Sequence, residues 1–474
     1  MKKILEKIYV VCIISAISIT FVQEFVSIGP LMPVKTVFLI GVVGIGLFYA
    51  RGIILFMSII LLSIGHILIF KYKIGYEVWI EGITKNLPLA TIFVVVPILS
   101  IPLKLGGYLE PIEYYFKKHI RDTGPLFSVI SSFIFAFGSI TNLGAVRIAH
   151  SLLEGVKFPS RFLALAYSVG FVGCVAWSPY FASVNLVLHY TGLSLGKYFI
   201  FGFIYGLSIL IIGNLFFRIW SLLKANNLPN VSDLKEIDGQ FIASDNNRAD
   251  DLFHNLKLKK LLLILAGLIL TVVVFEYFST LSSTMYLVSL TAAFYAVLWA
   301  LCIKRLRQFF QALKNYYKTV LEVKNELVFF LCVGFFGVIM THTPFQNSIE
   351  GFFGQVSGLS IFFLVEIIIL TILVLSIAGI HPGITITTLG LSLNPAVLGI
   401  STIAYALSLI AGWLNSMLLS PFVVTNIVVS GLVKESPFLL GFKWNRVLGL
   451  IVLIFSGVYI TLVNMLYVNG FVKL

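Results

Sequence analysis

Along almost the whole chain, apolar runs about as long as a bilayer is thick alternate with short polar stretches. A membrane-spanning helix needs about 20 apolar residues. On that measure the pattern predicts helices at 7–28, 34–50, 52–70, 87–104, 160–190 and 197–221, then at 260–279, 283–302, 327–341, 399–430 and 446–470. A stretch rich in Asn, Asp and Lys, from Lys224 to Lys260, separates the two sets and predicts a flexible linker. Two apolar segments do not read as single spans. Residues 125–151 carry Gly138-Ser139-Ile140-Thr141-Asn142 at their middle. Residues 360–394 carry Gly379-Ile380-His381-Pro382-Gly383 and then Thr385, Thr387 and Thr388. Each predicts two short helices around a polar turn, a re-entrant hairpin that enters and leaves the membrane on one side. Irregular backbone at that depth is tolerated only against protein or a water-filled cavity.

The chain also repeats itself. Residues 166–203 and 404–442 both begin Ala-Tyr, carry Ser-Pro-aromatic, then a Ser or Thr and an Asn, and close on Gly-Phe. The Ser-Pro of each copy lies in a stretch, 160–190 or 399–430, too long for one straight span. As a single helix the first would measure about 46 Å, against a hydrocarbon core of about 30 Å. Proline removes a backbone donor and clashes with the preceding turn, so Ser178-Pro179 and Ser420-Pro421 predict helix breaks. Each half then runs in the same order: two spans, an amphipathic piece, a span, an amphipathic piece, a hairpin, a broken helix and a final helix. The amphipathic pieces include 108–121, a basic helix at 304–325, and 345–357. Each half crosses five times, and an odd number inverts the second half relative to the first. The predicted fold is an all-α polytopic membrane protein with two inverted five-helix repeats. Its parts are an extra N-terminal helix at 1–29, a first repeat at 30–221, a cytosolic linker at 222–259 and a second repeat at 260–474.

Charge is an independent test of that topology. With the N-terminus inside, the inside segments hold 26 of the 33 Lys and Arg, as the positive-inside bias requires. The loop 342–358, assigned outside, has none. Only 11% of residues are charged and 59% are hydrophobic, against roughly 25% charged in soluble domains. The net charge of +13 sits in loops flanking spans, so it reads as an orientation signal and argues against a nucleic-acid partner. The expected surroundings are the lipid bilayer of the cytoplasmic membrane. The chain opens Met-Lys-Lys and its apolar run continues to Phe25 with no cleavage pattern, which predicts an uncleaved first span. Cys12, Cys174, Cys302 and Cys332 lie in apolar stretches and read as buried thiols, with no metal site and no cofactor expected. No P-loop, HExxH or nucleophile elbow is present, so the chain does not read as an enzyme.

Paired interrupted helices in corresponding halves point to a transporter's binding site. The breaks free carbonyls and helix ends. The C-terminal end of a half-helix favours cations and the N-terminal end favours anions. Ser178, Pro179, Ser183 and Asn185 in the first half, and Asn415, Ser420, Pro421, Thr425 and Asn426 in the second, are candidate contacts; plain proline kinks are the alternative. At the hairpin tips Ser139, Thr141 and Asn142, and Thr385, Thr387 and Thr388, offer neutral ligands for a carboxylate or for Na⁺, or else cap short helices. Arg147, in an apolar arm where a guanidinium costs at least roughly 2.5–3.5 kcal/mol, is either a counter-charge for an anion, or snorkels to the cytosolic surface or pairs with Glu154. His381 can titrate or cap. Glu366, inside an apolar arm, is a better candidate proton carrier by cost. Glu24 and Glu276 read as solvated, and His66 and His150 as structural.

These features together resemble the ion transporter superfamily, which includes divalent anion/sodium symporters and related dicarboxylate carriers. The resemblance covers most of the chain. The tips match only loosely: the family's Ser-Asn-Thr stands here as Ser139-Ile140-Thr141-Asn142 and as Thr385-Ile386-Thr387-Thr388. It implies a homodimer whose hairpins and broken helices move as an elevator, carrying a small anionic substrate with Na⁺ or H⁺ as coupling ion. Two alternatives stay open: an exporter or flippase of a larger amphipathic or lipid-linked anion, and a membrane enzyme or assembly factor.

Overall fold

The computed structural model describes residues 2–26, 31–119, 123–153, 158–223, 248–279, 281 and 283–468. Within them the chain is helical, with no strand. A helix satisfies its own backbone hydrogen bonds, which lipid cannot do. The first part contains α1 (Lys2–Phe25), α2 (Leu31–Tyr49), α3 (Gly52–Tyr72), α4 (Tyr76–Lys85), α5 (Leu87–Val95), α6 (Ser100–Leu105) and α7 (Leu109–His119). It continues with α8 (Thr123–Thr141), α9 (Gly144–Leu153), α10 (Ser160–Val175), α11 (Ala182–Thr191) and α12 (Leu195–Leu223). The second part contains α13 (Arg248–Phe278), α14 (Thr284–Cys302), α15 (Leu306–Leu313), α16 (Tyr317–Glu322), α17 (Lys324–Thr341) and α18 (Phe345–Ser357). It ends with α19 (Ile361–Ile377), α20 (Pro382–Ser392), α21 (Thr402–Leu419), α22 (Val424–Val433), α23 (Pro437–Leu439) and α24 (Arg446–Val468). Among the described residues, 11 helices are long and apolar enough to cross a membrane.

The element order of α2–α12 recurs in α13–α24. In both parts a long arm and a short arm form the hairpin, 19 and 10 residues in α8 and α9, 17 and 11 in α19 and α20. In both, the following helix is split, α10 from α11 and α21 from α22. The densest packing is also matched: α8 lies on α10, and α19 lies on α21.

Four local expectations are corrected. The 304–325 segment is two short helices, not one, because the hydroxyl of Tyr316 is drawn to the Val94 carbonyl at 2.5 Å and bends the arm between them. The 87–104 span is interrupted by a tighter helical turn at Val96–Leu99, where Pro97 breaks the regular ladder. The first hairpin turns at Asn142 and Leu143, so residues 138–141 are still helical. And α13 begins at Arg248, well inside the segment assigned to the linker, whose residues 224–247 lie outside the described residues.

That early start of α13 has a partner. Helix α7 lies against it, with Lys118 Nζ 2.6 Å and Tyr114 Oη 2.7 Å from Asp251 Oδ1, Lys257 Nζ 2.7 Å from Glu110 Oε2, and Tyr114 stacked on His254 at 4.2 Å. Tyr115 also donates to Asn255. The Lys257 ammonium holds the Glu110 carboxyl below its usual range.

Glycines set the closest helix crossing. A β-carbon on Gly206 of α12 would overlap the Gly173 carbonyl of α10 and sit 2.8 Å from Trp177. Gly44, by contrast, faces open space. Gly206→Ala is therefore expected to destabilise by about 1–3 kcal/mol through overpacking. Gly44→Ala should be neutral or gain up to about 1 kcal/mol of helix propensity. Thermal unfolding of the two variants in detergent measures the contrast.

Candidate functional site

The first break opens after Val175. Ser178, fully buried, donates from Oγ to the carbonyl of Ser139 at 2.6 Å and accepts from the Tyr180 amide at 3.2 Å. Ser139 lies in the last turn of α8, where carbonyls have no intrahelical partner. Asn185 reaches back six residues to the Pro179 carbonyl at 2.5 Å and also to the Phe181 carbonyl at 2.9 Å. One break is thereby tied both to itself and to the end of a hairpin arm.

The second break repeats the serine bonds and closes on itself through a neighbouring carbonyl. Ser420 donates to the carbonyl of Ser376, near the end of α19, at 2.8 Å and accepts from the Phe422 amide at 3.3 Å. Asn426 reaches back six residues to the Ser420 carbonyl at 2.8 Å. The Ala-Tyr pair of each copy also has a matched role. Tyr167 sits 3.2 Å from His150 on α9, and Tyr405 donates to the Leu389 carbonyl on α20 at 2.8 Å, so each buried tyrosine fixes the short arm of its own hairpin.

The halves interlock across these breaks. Helix α11 packs on α20 and α21, and α22 packs on α9 and α10. Neither α11 nor α22 has a side-chain cap at its N-terminus. Both therefore present uncapped backbone amides at the positive end of a half-helix, which suits an anion. Several buried polar atoms nearby have no hydrogen-bond partner: Ser183 Oγ, Thr385 Oγ1, Ser376 Oγ, Asn415 Oδ1 and Asn426 Oδ1. Leaving such a group unpaired costs about 1–3 kcal/mol, so each can still take a hydrogen bond from a solute or a water. Thr425 is buried beside them in sequence, and Thr387 lies against the Tyr190 hydroxyl.

In this arrangement the remaining sequence candidates bond to nearby backbone or, in the case of Arg147, stand exposed. Ser139, Thr141 and Thr388 return their hydroxyls to carbonyls of their own helices, at 2.6, 2.9 and 3.0 Å. Asn142 turns the first tip in the left-handed region, φ 54°, and accepts the Leu143 amide at 2.8 Å. His381 caps α20, accepting the Gly383 amide on Nδ1 at 3.1 Å, and its ring sits among Phe329, Phe330 and Trp413. Arg147 is exposed on α9, away from the buried Ala145, Val146 and Ala149; Glu154 lies outside the described residues.

A cleft of about 250 Å³ reaches Asn185 from the far end of α11, between His189, Ser194, Glu276, Ser283 and Thr284. The other break and tip residues are not among its walls. Its rim corrects the reading of Glu276 as merely solvated. The carboxylate receives the Leu195 and Gly196 amides, each at 2.7 Å, and the Thr284 hydroxyl at 3.0 Å, so it closes the N-terminus of α12. Sequence reasoning also missed Asn86. It is 1% exposed, donates to the Phe330 carbonyl at 2.9 Å and accepts the Tyr190 hydroxyl at 2.6 Å. Its only sequence signal is an amide between two apolar runs, just before Pro88.

No family model matches the chain, and no curated protein matches it. Among solved structures, the chain is similar to the YdaH transporter of Alcanivorax borkumensis, whose crystal structure is described as revealing an unusual topology. The TM-score is 0.55 at 14% identity, over 86% of this chain and 97% of that one. This chain has the all-α polytopic membrane fold seen in that transporter.

Removing either break hydroxyl tests the geometry. Ser178→Ala and Ser420→Ala each leave a hairpin carbonyl without its side-chain donor and should each cost about 1–3 kcal/mol. Similar losses of thermal stability from the two variants are expected. A loss at one site alone shows that the matched bonds are not equivalent.

Proposed function

We propose that the protein is a secondary active transporter that moves a small organic anion across the cytoplasmic membrane, coupled to Na⁺ or H⁺. The observation that carries this reading is the pair of helix breaks, each joined to the end of a hairpin arm by a serine hydroxyl and closed on itself by an asparagine. Breaking a membrane helix is costly unless the break lines a cavity or a site. Building the same break twice argues for a shared ligand. The uncapped half-helix amides favour an anion and the orphaned Thr385 hydroxyl can donate to it, while the orphaned Asn415 and Asn426 oxygens only accept and suit a cation or a donor group. The likeness to a transporter fold agrees with this assignment.

On this reading the halves are inverted repeats. The hairpins, broken helices, α12 and α24 form one body that slides, elevator-fashion, against α2–α6 and α13–α17 within a homodimer. The N-terminus is inside. Cysteines placed singly in 224–247 and in 342–358 should then react with impermeant reagents from opposite sides; labelling from one side excludes the inversion.

Substrate class is tested by thermal shift and by uptake into liposomes under an imposed Na⁺ or H⁺ gradient, with succinate, malate, citrate and acetate as the panel. Thr385→Val removes a hydroxyl that bonds nothing in the protein. It should leave the melting temperature unchanged or higher while weakening uptake about tenfold, the value of one hydrogen bond of about 1.4 kcal/mol. Arg147→Glu should abolish uptake only if the exposed arginine swings to the substrate. Wild-type uptake by both Arg147→Lys and Arg147→Glu removes Arg147 from the site.

A further inference from the structure

One charged residue interrupts α19, and it is Glu366. Its carboxyl is turned toward Gly457 of α24, where a β-carbon would overlap Glu366 Oε1 and crowd Phe362. The missing side chain of Gly457 is therefore what makes room for the carboxyl. Gly457 stands at the middle of the 23-residue α24, eleven residues from either end. The carboxyl thus sits at about half the height of a full span. Oε1 is buried and has no hydrogen-bond partner.

Among the described helices packed on α19, counter-charge is lacking as well. Helices α18, α20 and α21, which pack on α19, contain no Lys or Arg. The remaining neighbour, α24, has only Arg446, in its first position and about 16 Å along the axis from Gly457 at 1.5 Å per residue. The titratable groups on these helices and on α12 can be named. Tyr205 of α12 is within electrostatic reach and shares its hydroxyl with Ser456, next to Gly457, at 2.6 Å. Tyr459 stacks on Tyr205 at 5.3 Å and donates to the Phe201 carbonyl at 2.8 Å. Tyr467 lies near the other end of α24; Lys197, Tyr198 and Arg218 lie toward the ends of α12, with Tyr198 donating to the Ala176 carbonyl. Tyr405 is bonded to Leu389, His381 is at the hairpin tip, and Glu350 is exposed on α18. None of these supplies a positive charge to the niche. An ionised carboxylate at membrane depth without a partner is costly, and in practice the group takes up a proton instead.

We propose that Glu366 is a proton-binding site: it is protonated in this arrangement and serves as the carrier that couples transport to a proton gradient. The coupling half rests on the transporter reading above; the protonation half does not. When α19 and α24 part enough to admit water, the carboxyl O–H bond breaks and its proton passes to that water. When they close, a proton must be taken up again before the carboxyl can re-enter the Gly457 notch. The Tyr205–Ser456 bond lies beside this notch and ties α12 to the same movement.

Infrared spectra of the full chain in lipid test the site without any substrate. At neutral pH a protonated carboxylic C=O band should be present in the wild type and lost in Glu366→Gln, with the helical amide band unchanged. Identical carboxyl bands in the two proteins overturn the proposal, because Glu366 is then ionised in its niche. Gly457→Ala supplies the second variant: by pushing the carboxyl toward water it should lower the pH at which the band disappears, and an unchanged midpoint refutes the niche. For coupling, whichever of succinate, malate, citrate or acetate is moved should still exchange across liposomes carrying Glu366→Gln, while accumulation driven by a pH gradient is lost. Accumulation at the wild-type level overturns the carrier role. If none of the four is moved by wild-type protein, the transporter reading fails, and the infrared comparison still decides whether Glu366 holds a proton.

Discussion

Inside a bilayer, every backbone group that a helix releases must find another partner in the protein. That constraint governs the two proline breaks, and most of the surrounding structure follows from how it is met. Asn185 and Asn426 satisfy carbonyls of their own breaks. Ser178 and Ser420 reach instead to carbonyls at the ends of α8 and α19. Those helix ends are themselves unsatisfied, so each break and each hairpin answers the other's need. A hairpin arm must then lie along its broken helix, which is where the most extensive packing occurs. Tyr167 and Tyr405 fix the short arms in the same way. The polar bonds specify the geometry, and apolar packing makes it stable.

The two copies agree in these bonds and differ at their tips. The first hairpin turns through Asn142 in the left-handed region, with its own side chain closing the turn. The second turns through Gly379, φ 94°, and is capped by His381 against an aromatic cage. The unpartnered buried oxygens are also uneven: Ser376, Thr385, Asn415 and Asn426 belong to the second copy, and Tyr180 and Ser183 to the first. A duplicated scaffold with one side carrying more of the unmet hydrogen-bonding demand is suited to holding an asymmetric solute between its halves.

How much of this was legible in the chain depended on whether the cause was local. The spans could be read because lipid imposes a length and a composition. The breaks could be read because proline acts on its own helix. The doubled Ser-Pro and Asn motif even located the bonded residues, though not what they bond. Features set by distant partners left little trace. Nothing around Tyr316 announces that Val94 will bend its helix, and nothing around Glu276 announces two amides of α12. Asn86 sits between apolar runs without a motif, yet it joins α17 to the end of α11. The tip residues carry two readings for a related reason: Ser, Thr and Asn serve both as ligands and as local backbone partners, and Thr141, Asn142 and Thr388 bond their own backbone in this arrangement.

These long-range bonds also bear on how the proposed moving body could leave its present position. Its polar ties to the remaining helices include Tyr190 with Asn86 and the Glu276 clamp on α12. A hydrogen bond to a charged group contributes about 1.5–3 kcal/mol, reduced toward the lower figure where the group is partly exposed, as Glu276 is. Breaking the clamp and the Tyr190 bond together would therefore cost several kcal/mol if nothing replaced them. A ligand can shift such an equilibrium only by its differential affinity for the two positions. Moving a population from one in a hundred to ninety-nine takes about 5.5 kcal/mol, the same order as the ties. On the proposed function, the bound anion and the proton on Glu366 would have to supply a differential affinity of that order between the two positions, and a larger polar interface between the bodies would raise that requirement in proportion.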